Sequence, residues 1–294
     1  MSVCLVTIAK NEAKFLVEWL AHYLSLGVDH IFVFDNDSTD ETAAILDVAA
    51  RSHGVTPIPW PSRERESPQI TAYNFALKRH AARFEWVCFF DCDEFLVLKE
   101  DADIHAFLGR FDATVGAVAI NWLTFGSGGR ITSDYQLVTE TFRTGAPAGA
   151  GNNRHIKTVA RVASVQRMGI HDCVLSTGRY IHPDGEPLVM PRKRGIAKRI
   201  DHSLAQLNHY QVKSKADFEE KVLRGRAGKA ANDPTRYRAD PDKLFRKLDR
   251  NGQVYTHVDR NKAGRDAIMA ALNRDIAAAR QPGPRWTAAF RWRA

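Results

Sequence analysis

Three short apolar runs, each closing on acidic or amide side chains, constrain this chain more than any other feature. Val3–Ala9 is rich in β-branched residues and is followed by Asn11-Glu12. Residues 30–34 run into Asp35-Asn36-Asp37, and residues 86–90 run into Asp91-Cys92-Asp93-Glu94. Runs of this length and composition read as buried strands. Helical patterns separate them: Leu16, Trp19, Leu20, Tyr23 and Leu24 recur near every 3.6 residues, and Gly27 supplies a stop. Ser38 and Glu41 spell a capping box for a helix reaching about residue 50, and residues 69–84 look helical. Strand-helix alternation predicts an α/β fold with a mainly parallel central sheet and helices on both faces. Ligands of such sheets gather outside the carboxyl ends of the strands, so three polar strand ends are expected to converge on one site.

The rest of the chain is less regular. Residues 117–125 read as a strand before the flexible Gly126-Ser127-Gly128-Gly129, residues 144–153 as a loop, and 157–165 and 173–176 as strands around His171-Asp172. The last third turns helical over 215–226, 240–248 and 262–279, and it turns basic. Residues 186–294 carry 25 Lys and Arg against 12 Asp and Glu, whereas residues 1–185 carry 17 against 22. A basic third invites anionic partners. Nucleic acid is a remote reading, because no nucleic-acid module is recognisable and acidic strand ends repel phosphate. No apolar run approaches the roughly 18–20 residues that span a bilayer, and the first residues read as a strand rather than a signal peptide. With Cys4, Cys88, Cys92 and Cys173 scattered as free thiols, a cytoplasmic enzyme is expected, with peripheral contact at the inner membrane face through the aromatic-arginine stretch 284–293. That stretch also suits packing within a homo-oligomer.

In an extended segment, period-two geometry points Asp91 and Asp93 to the same side. Two adjacent carboxylates repel unless a cation lies between them, and hard oxygen ligands suit Mn²⁺ or Mg²⁺. In order along residues 1–98 stand Val6-Thr7-Ile8-Ala9-Lys10-Asn11-Glu12, Phe34-Asp35-Asn36-Asp37-Ser38-Thr39-Asp40, Tyr73-Asn74-Phe75-Ala76 and Phe90-Asp91-Cys92-Asp93-Glu94-Phe95-Leu96. In these segments the chain resembles glycosyltransferase family 2-like enzymes of GT-A type with an Asp-x-Asp-Glu-Phe core. Asn208-His209-Tyr210, Lys213-Ser214, Phe218, Lys221 and Arg224-Gly225 extend the resemblance.

The resemblance implies a metal-dependent, inverting transfer of sugar from a UDP- or GDP-sugar to a glycan or lipid-linked acceptor. It implies a GT-A domain over 1–200, divided into a nucleotide-sugar half (1–98) and an acceptor half (99–200), and then a helical basic region over 201–294. The donor set would be Thr7, Ala9, Asn11, Glu12, Asp35, Asn36, Asp37, Asn74, Asp91, Cys92 and Asp93. Asp91 and Asp93 would hold the metal, joined by His171 or His209, since a neutral imidazole is a metal ligand. Glu94, Gly126 and Gly128 would face the acceptor. A general base is needed for the acceptor hydroxyl, with Glu140 and Asp172 the leading candidates and Asp134 a third. A degenerate GT-A protein that binds glycans without turnover is the alternative, because Asn36 stands where many relatives carry a second aspartate.

Overall fold

The computed structural model describes residues 1–191, 193–238, 240–256 and 261–280. Its strands are β1 (Val3–Ala9), β2 (His30–Asp35), β3 (Val55–Pro59), β4 (Trp86–Phe89), β5 (Glu94–Leu98), β6 (Val115–Thr124), β7 (Thr144–Gly145), β8 (Ile156–Arg161), β9 (Val165–Met168), β10 (Cys173–Leu175), β11 (Arg179–Ile181), β12 (Ala205–His209) and β13 (Gln253–Val254). Its helices are α1 (Ala13–Ser25), α2 (Thr42–Ser52), α3 (Pro68–Arg79), α4 (Ile104–Gly109), α5 (Val138–Thr141), α6 (Lys215–Leu223), α7 (Pro241–Leu248) and α8 (Lys262–Arg280).

The central sheet runs β3-β2-β1-β4-β8-β6-β12-β5, with β11 also paired to β6. Its first four strands are parallel, as alternation predicts. The sheet as a whole is mixed, with five of its eight strand pairings parallel and three antiparallel. β8 enters antiparallel between β4 and β6, and β5 pairs antiparallel with β12. A buried run of Val, Ile and Ala encodes burial on both faces and leaves strand direction to the connections, so this reversal had no local signal. β12 lies inside the sheet, between β6 and β5, so the chain beyond residue 200 contributes to the central layer as well as to the helix-rich C-terminal region.

Period-two alternation sorts β1 between two cores. Val3 and Leu5 face one that includes Trp19 and Leu20 of α1, Ile45 and Leu46 of α2, and Leu272 and Ile276 of α8. Cys4 and Val6 face the other, with Ala72, Tyr73 and Ala76 of α3. α8 is clamped at its start by Arg265, whose side chain is 1% exposed and bonds Thr139 Oγ1 at 3.0 Å and Glu140 Oε1 at 3.2 Å. No helix among the described residues is long and apolar enough to cross a membrane. The expected membrane-contact stretch 284–293 lies outside the described residues.

Ser38 and Glu41 do not form the expected capping box. Helix α2 starts at Thr42 without a side-chain cap. Ser38 Oγ accepts from Asn11 N (3.0 Å), and Thr42 Oγ1 accepts from Glu12 N (2.9 Å), so these hydroxyls lace the β2 loop to the β1 loop. The reciprocal box occurs at α6, between Ser214 and Asp217.

If α8 is part of the folding unit, Leu272→Ala should cost ~2–5 kcal/mol and lower the urea midpoint of the single transition. An unchanged midpoint would show that α8 packs without supporting the core.

Candidate active site

The site is built on the connection between β4 and β5. Residues 91–93 form a tight turn rather than the extended segment expected, with Glu94 N donating to Asp91 O at 3.0 Å. Helix α1 holds this turn from below. Trp19 Nε1 donates to Asp91 O and Glu94 O (both 3.0 Å), and Tyr23 Oη donates to Glu94 O at 2.9 Å. The helical stripe read from the sequence thus grips the acidic turn through its polar tips.

Three carboxylates in four residues require counter-charges. Lys157, on β8 and fully buried, lies 2.8 Å from Asp91 Oδ1 and 3.5 Å from Glu94 Oε2. Asp91 Oδ1 also accepts from Gln69 Nε2 (2.7 Å) and Tyr73 Oη (3.0 Å) of α3. Asp93 pairs with Lys221 of α6, and His209 Nε2 lies 3.6 Å from its Oδ2. Burial alone would disfavour the Asp93 anion, but Lys221 and His209 hold its carboxyl well below the usual range. Glu94 responds the other way: burial, with Asp91 and Asp93 adding repulsion, pushes it well above the ordinary value despite Lys157. Burial and the Lys157 charge lower His171 to about 3, so its imidazole is neutral at physiological pH.

Of these groups, Gln69, Asp91, Asp93, His171, His209 and Lys221 face a cleft of about 360 Å³. Ile8, Lys10 and Glu12 from the end of β1 line it, as do Gln69, Asp91, Cys92, Asp93, Trp122, His171 and His209. The opposite wall is α6 and the strap that follows it, contributing Lys221, Arg224, Arg226, Lys229, Arg236 and Arg238. Arg224 ties this wall down, donating to Lys10 O, Asn11 O (2.9 Å) and the Glu12 carboxylate. Further along, Ala227 O accepts from Gln69 N at 3.1 Å, and Arg236 Nη2 donates to Ser62 Oγ at 3.3 Å. Desolvation and the neighbouring Arg226 guanidinium lower the pKa of Arg238. Lys10, Arg226, Arg236 and Arg238 have no acidic partner among the described residues.

Of the donor residues expected, Glu12, Asp91, Cys92 and Asp93 come together at the cleft. Cys92 is 3% exposed, with Sγ 3.5 Å from Thr7 Oγ1, and burial raises its thiol well above its usual value. Thr7 and Ala9 are enclosed within β1. Asn11 and Asp37 adopt positive φ of 51° and 57° in the two loops, where Asn11 Oδ1 accepts from Thr39 N (2.8 Å) and Asp37 Oδ2 from Ser62 N (2.9 Å). Asp35 Oδ1 accepts from Ser38 N at 3.2 Å. Asn36 is buried and donates to Trp60 O (2.8 Å) and Ser62 Oγ (3.0 Å), so it braces the loop after β3. Asn74 exchanges bonds with the Met168 backbone on the far face of α3.

The acceptor-side residues lie elsewhere. Both oxygens of Glu94 are engaged, Oε1 by Trp122 Nε1 (2.7 Å) and Oε2 by Asp91 N (2.8 Å), and its side chain is wholly enclosed. Gly126 and Gly128 are covered by the segment 249–251: Ser127 N donates to Asp249 Oδ1 (2.6 Å) and Gly128 N to Asn251 Oδ1 (2.7 Å). Glu140 pairs with Lys262 and Arg265 at the start of α8, away from the cleft. Asp172 pairs with Arg194, one residue from cleft-lining His171. Asp134 is on an exposed loop with Arg130 and Thr132.

The metal expectation is corrected. Among the described residues no group of three or more His, Cys, Asp or Glu side chains is arranged to hold a metal ion. Asp93 and His209 are close, but His171 is not joined to them, and Lys157 and Lys221 already sit on the two aspartates. A divalent ion there would face two ammonium groups at short range, so this arrangement does not fit the cation. Sequence reasoning missed the strap arginines and Trp122. Lys221 and Arg224 stood in the motif without a role, although their i, i+3 spacing puts both on one face of α6.

The sequence model described as Glycosyltransferase family 92 matches residues 1–247. This overturns the family 2 resemblance. A glycosyltransferase family 92 protein of Oryza sativa subsp. japonica is 30% identical over 151 residues, covering 50% of this chain and 25% of that protein. One of Ricinus communis is 22% identical over 226 residues, covering 76% and 37%. The chain therefore spans a minor part of these curated relatives. Among solved structures, S. aureus TarS 1–349 aligns with a TM-score of 0.38 and 16% identity, over 76% of this chain and 64% of that one. Glucosyl-3-phosphoglycerate synthase of Mycobacterium tuberculosis gives 0.30 and 20%, over 41% and 44%.

Because the folded pKa of His171 lies below its ordinary value, the native state binds fewer protons than the unfolded chain between about 3 and 6.5. Stability contributed by the neutral ring is complete above 6.5 and is lost as pH falls toward 3. His171→Asn should therefore flatten the loss of stability between pH 7 and pH 4 in urea titrations. An unchanged slope would mean that the ring is not held neutral.

Proposed function

The chain belongs to glycosyltransferase family 92, and we propose that it transfers a sugar from a nucleoside diphosphate sugar, UDP- or GDP-linked, to a hydroxyl of a glycan or lipid-linked acceptor. One observation carries the donor class: four cations without acidic partners among the described residues, Lys10, Arg226, Arg236 and Arg238, around a cleft at the carboxyl ends of β1 and β4. Guanidinium groups match phosphate oxygens in pairs, and a diphosphate supplies the anions this wall lacks. Charge develops on the departing diphosphate during transfer, so prepositioned cations stabilise the transition state more than the ground state.

In this reading Asp91 and Glu12 contact the ribose and sugar side of the donor, Lys10 and the strap arginines Arg226, Arg236 and Arg238 hold the diphosphate, and Trp122 forms the wall against which the transferred sugar lies. Direct displacement by the acceptor hydroxyl, with inversion, needs a proton acceptor at the reacting centre. Asp172, adjacent to cleft-lining His171, is the better of the two expected bases. Glu140 is committed to α8.

The donor reading is tested by thermal shift with UDP, GDP, CMP and their sugars, each with EDTA, Mg²⁺ or Mn²⁺. One nucleoside diphosphate should stabilise the chain by mass action, and the pair Arg226→Gln and Arg238→Gln should weaken its binding by about tenfold or more. Stabilisation by none of them would reject the reading. Once a donor is found, Asp172→Asn should lower turnover by ~10²–10⁴-fold, whereas Glu140→Gln should leave turnover at a fixed temperature near that of the parent. The reverse result would exchange the roles.

A further inference from the structure

Lys157 stands apart from every other cation near the cleft. It points inward from the central strand β8, opposite Ile120 of β6, and its side chain is 0% exposed. It cannot reach a ligand in solution without first displacing its neighbours. Its ammonium nitrogen has three oxygen partners: Asp91 Oδ1 at 2.8 Å, Ile170 O at 3.4 Å and Glu94 Oε2 at 3.5 Å. Enclosing an ammonium group forfeits hydration that a surface lysine keeps.

The partners say what that charge achieves. Asp91 Oδ1 receives three donors, from Lys157, Gln69 and Tyr73. With one oxygen saturated from behind, the carboxylate cannot rotate freely, and it keeps 30% side-chain exposure on the cleft. Glu94 receives Lys157 on one oxygen and the indole of Trp122 on the other. One buried cation therefore sets two walls of the cleft, the Asp91 carboxylate directly and the Trp122 ring through Glu94.

We propose that Lys157 is a positioning residue for sugar transfer, fixing Asp91 against the donor and, through Glu94, the Trp122 wall. This rests on the donor reading above. A purely structural role would be simpler, with Lys157 serving only as a counter-charge beside Glu94. The two are separated by a charge-balanced pair, Lys157→Met with Glu94→Gln, compared with Lys157→Met alone and with the parent. Lys157→Met alone leaves the Asp91 and Glu94 carboxyls without their shared cation and should lower the melting temperature markedly. The balanced pair should recover most of that temperature. It should still raise the donor KM roughly 10–100-fold, the range seen when a supporting partner of a site residue is lost. Isothermal titration with the nucleoside diphosphate found by thermal shift should show a matching loss of affinity. Recovery of melting temperature, donor KM and nucleotide affinity together would overturn the proposal and leave Lys157 as a counter-charge. Failure of the donor reading looks different: the parent chain itself would then bind no sugar nucleotide.

Discussion

The concentration of negative charge on one turn is the constraint around which the rest of the molecule is arranged. Asp91, Asp93 and Glu94 leave the end of β4 within four residues, and all three are drawn into or beside the protein interior. Carboxylates so close together destabilise one another unless cations are supplied at fixed positions. The two that answer come from distant stretches of chain, Lys157 on β8 and Lys221 on α6. The fold can close around this turn only when both have arrived, so charge balance and topology are solved together. Even the backbone of the turn is held by side-chain tips, through Trp19 and Tyr23.

The second consequence is a division of labour among cations. Those nearest the acidic turn are spent internally: Lys157 on Asp91 and Glu94, Lys221 on Asp93, Arg224 on Glu12. On the strap beyond α6, Arg226, Arg236 and Arg238 have no such partner among the described residues, whereas Lys229 pairs with Asp233. The net positive charge of the last third is thus partly structural and partly available to an anionic ligand. A surface tally of basic residues cannot separate these two uses, since it counts Arg224 and Arg238 alike.

What the sequence made legible follows from locality. The β1-α1-β2 start, the strand into Asp91 and most later helices were readable because each is written in a continuous stretch of periodic or apolar residues. The direction of β8, the partner of β5 and the inward lysine at 157 were not, because each depends on residues far away in the chain. Nothing local marks Lys157, one of 42 basic residues, as pointing inward. Glu94 misled for a related reason: adjacency to two cleft carboxylates suggested exposure, but the turn rotates its side chain into the interior. Ser38 and Glu41 fit a capping pattern, yet the nearby β1 loop competed for the same hydroxyls and won. The motifs pointed to a glycosyltransferase family but to the wrong one, since short acidic signatures are weak on their own.

The pairing of β5 with β12 also has a history in time. Among the described residues β5 has no other neighbour in the sheet, and its partner is made only when synthesis has passed His209. Until then a nascent chain displays an apolar strand, Glu94–Leu98, with an unpaired edge, next to three carboxylates that still lack Lys221. Such edges are what chaperones recognise and what drives association of incomplete chains. Charges flanking an apolar strand oppose its association with like segments, and Asp91 and Asp93 stand directly before this one.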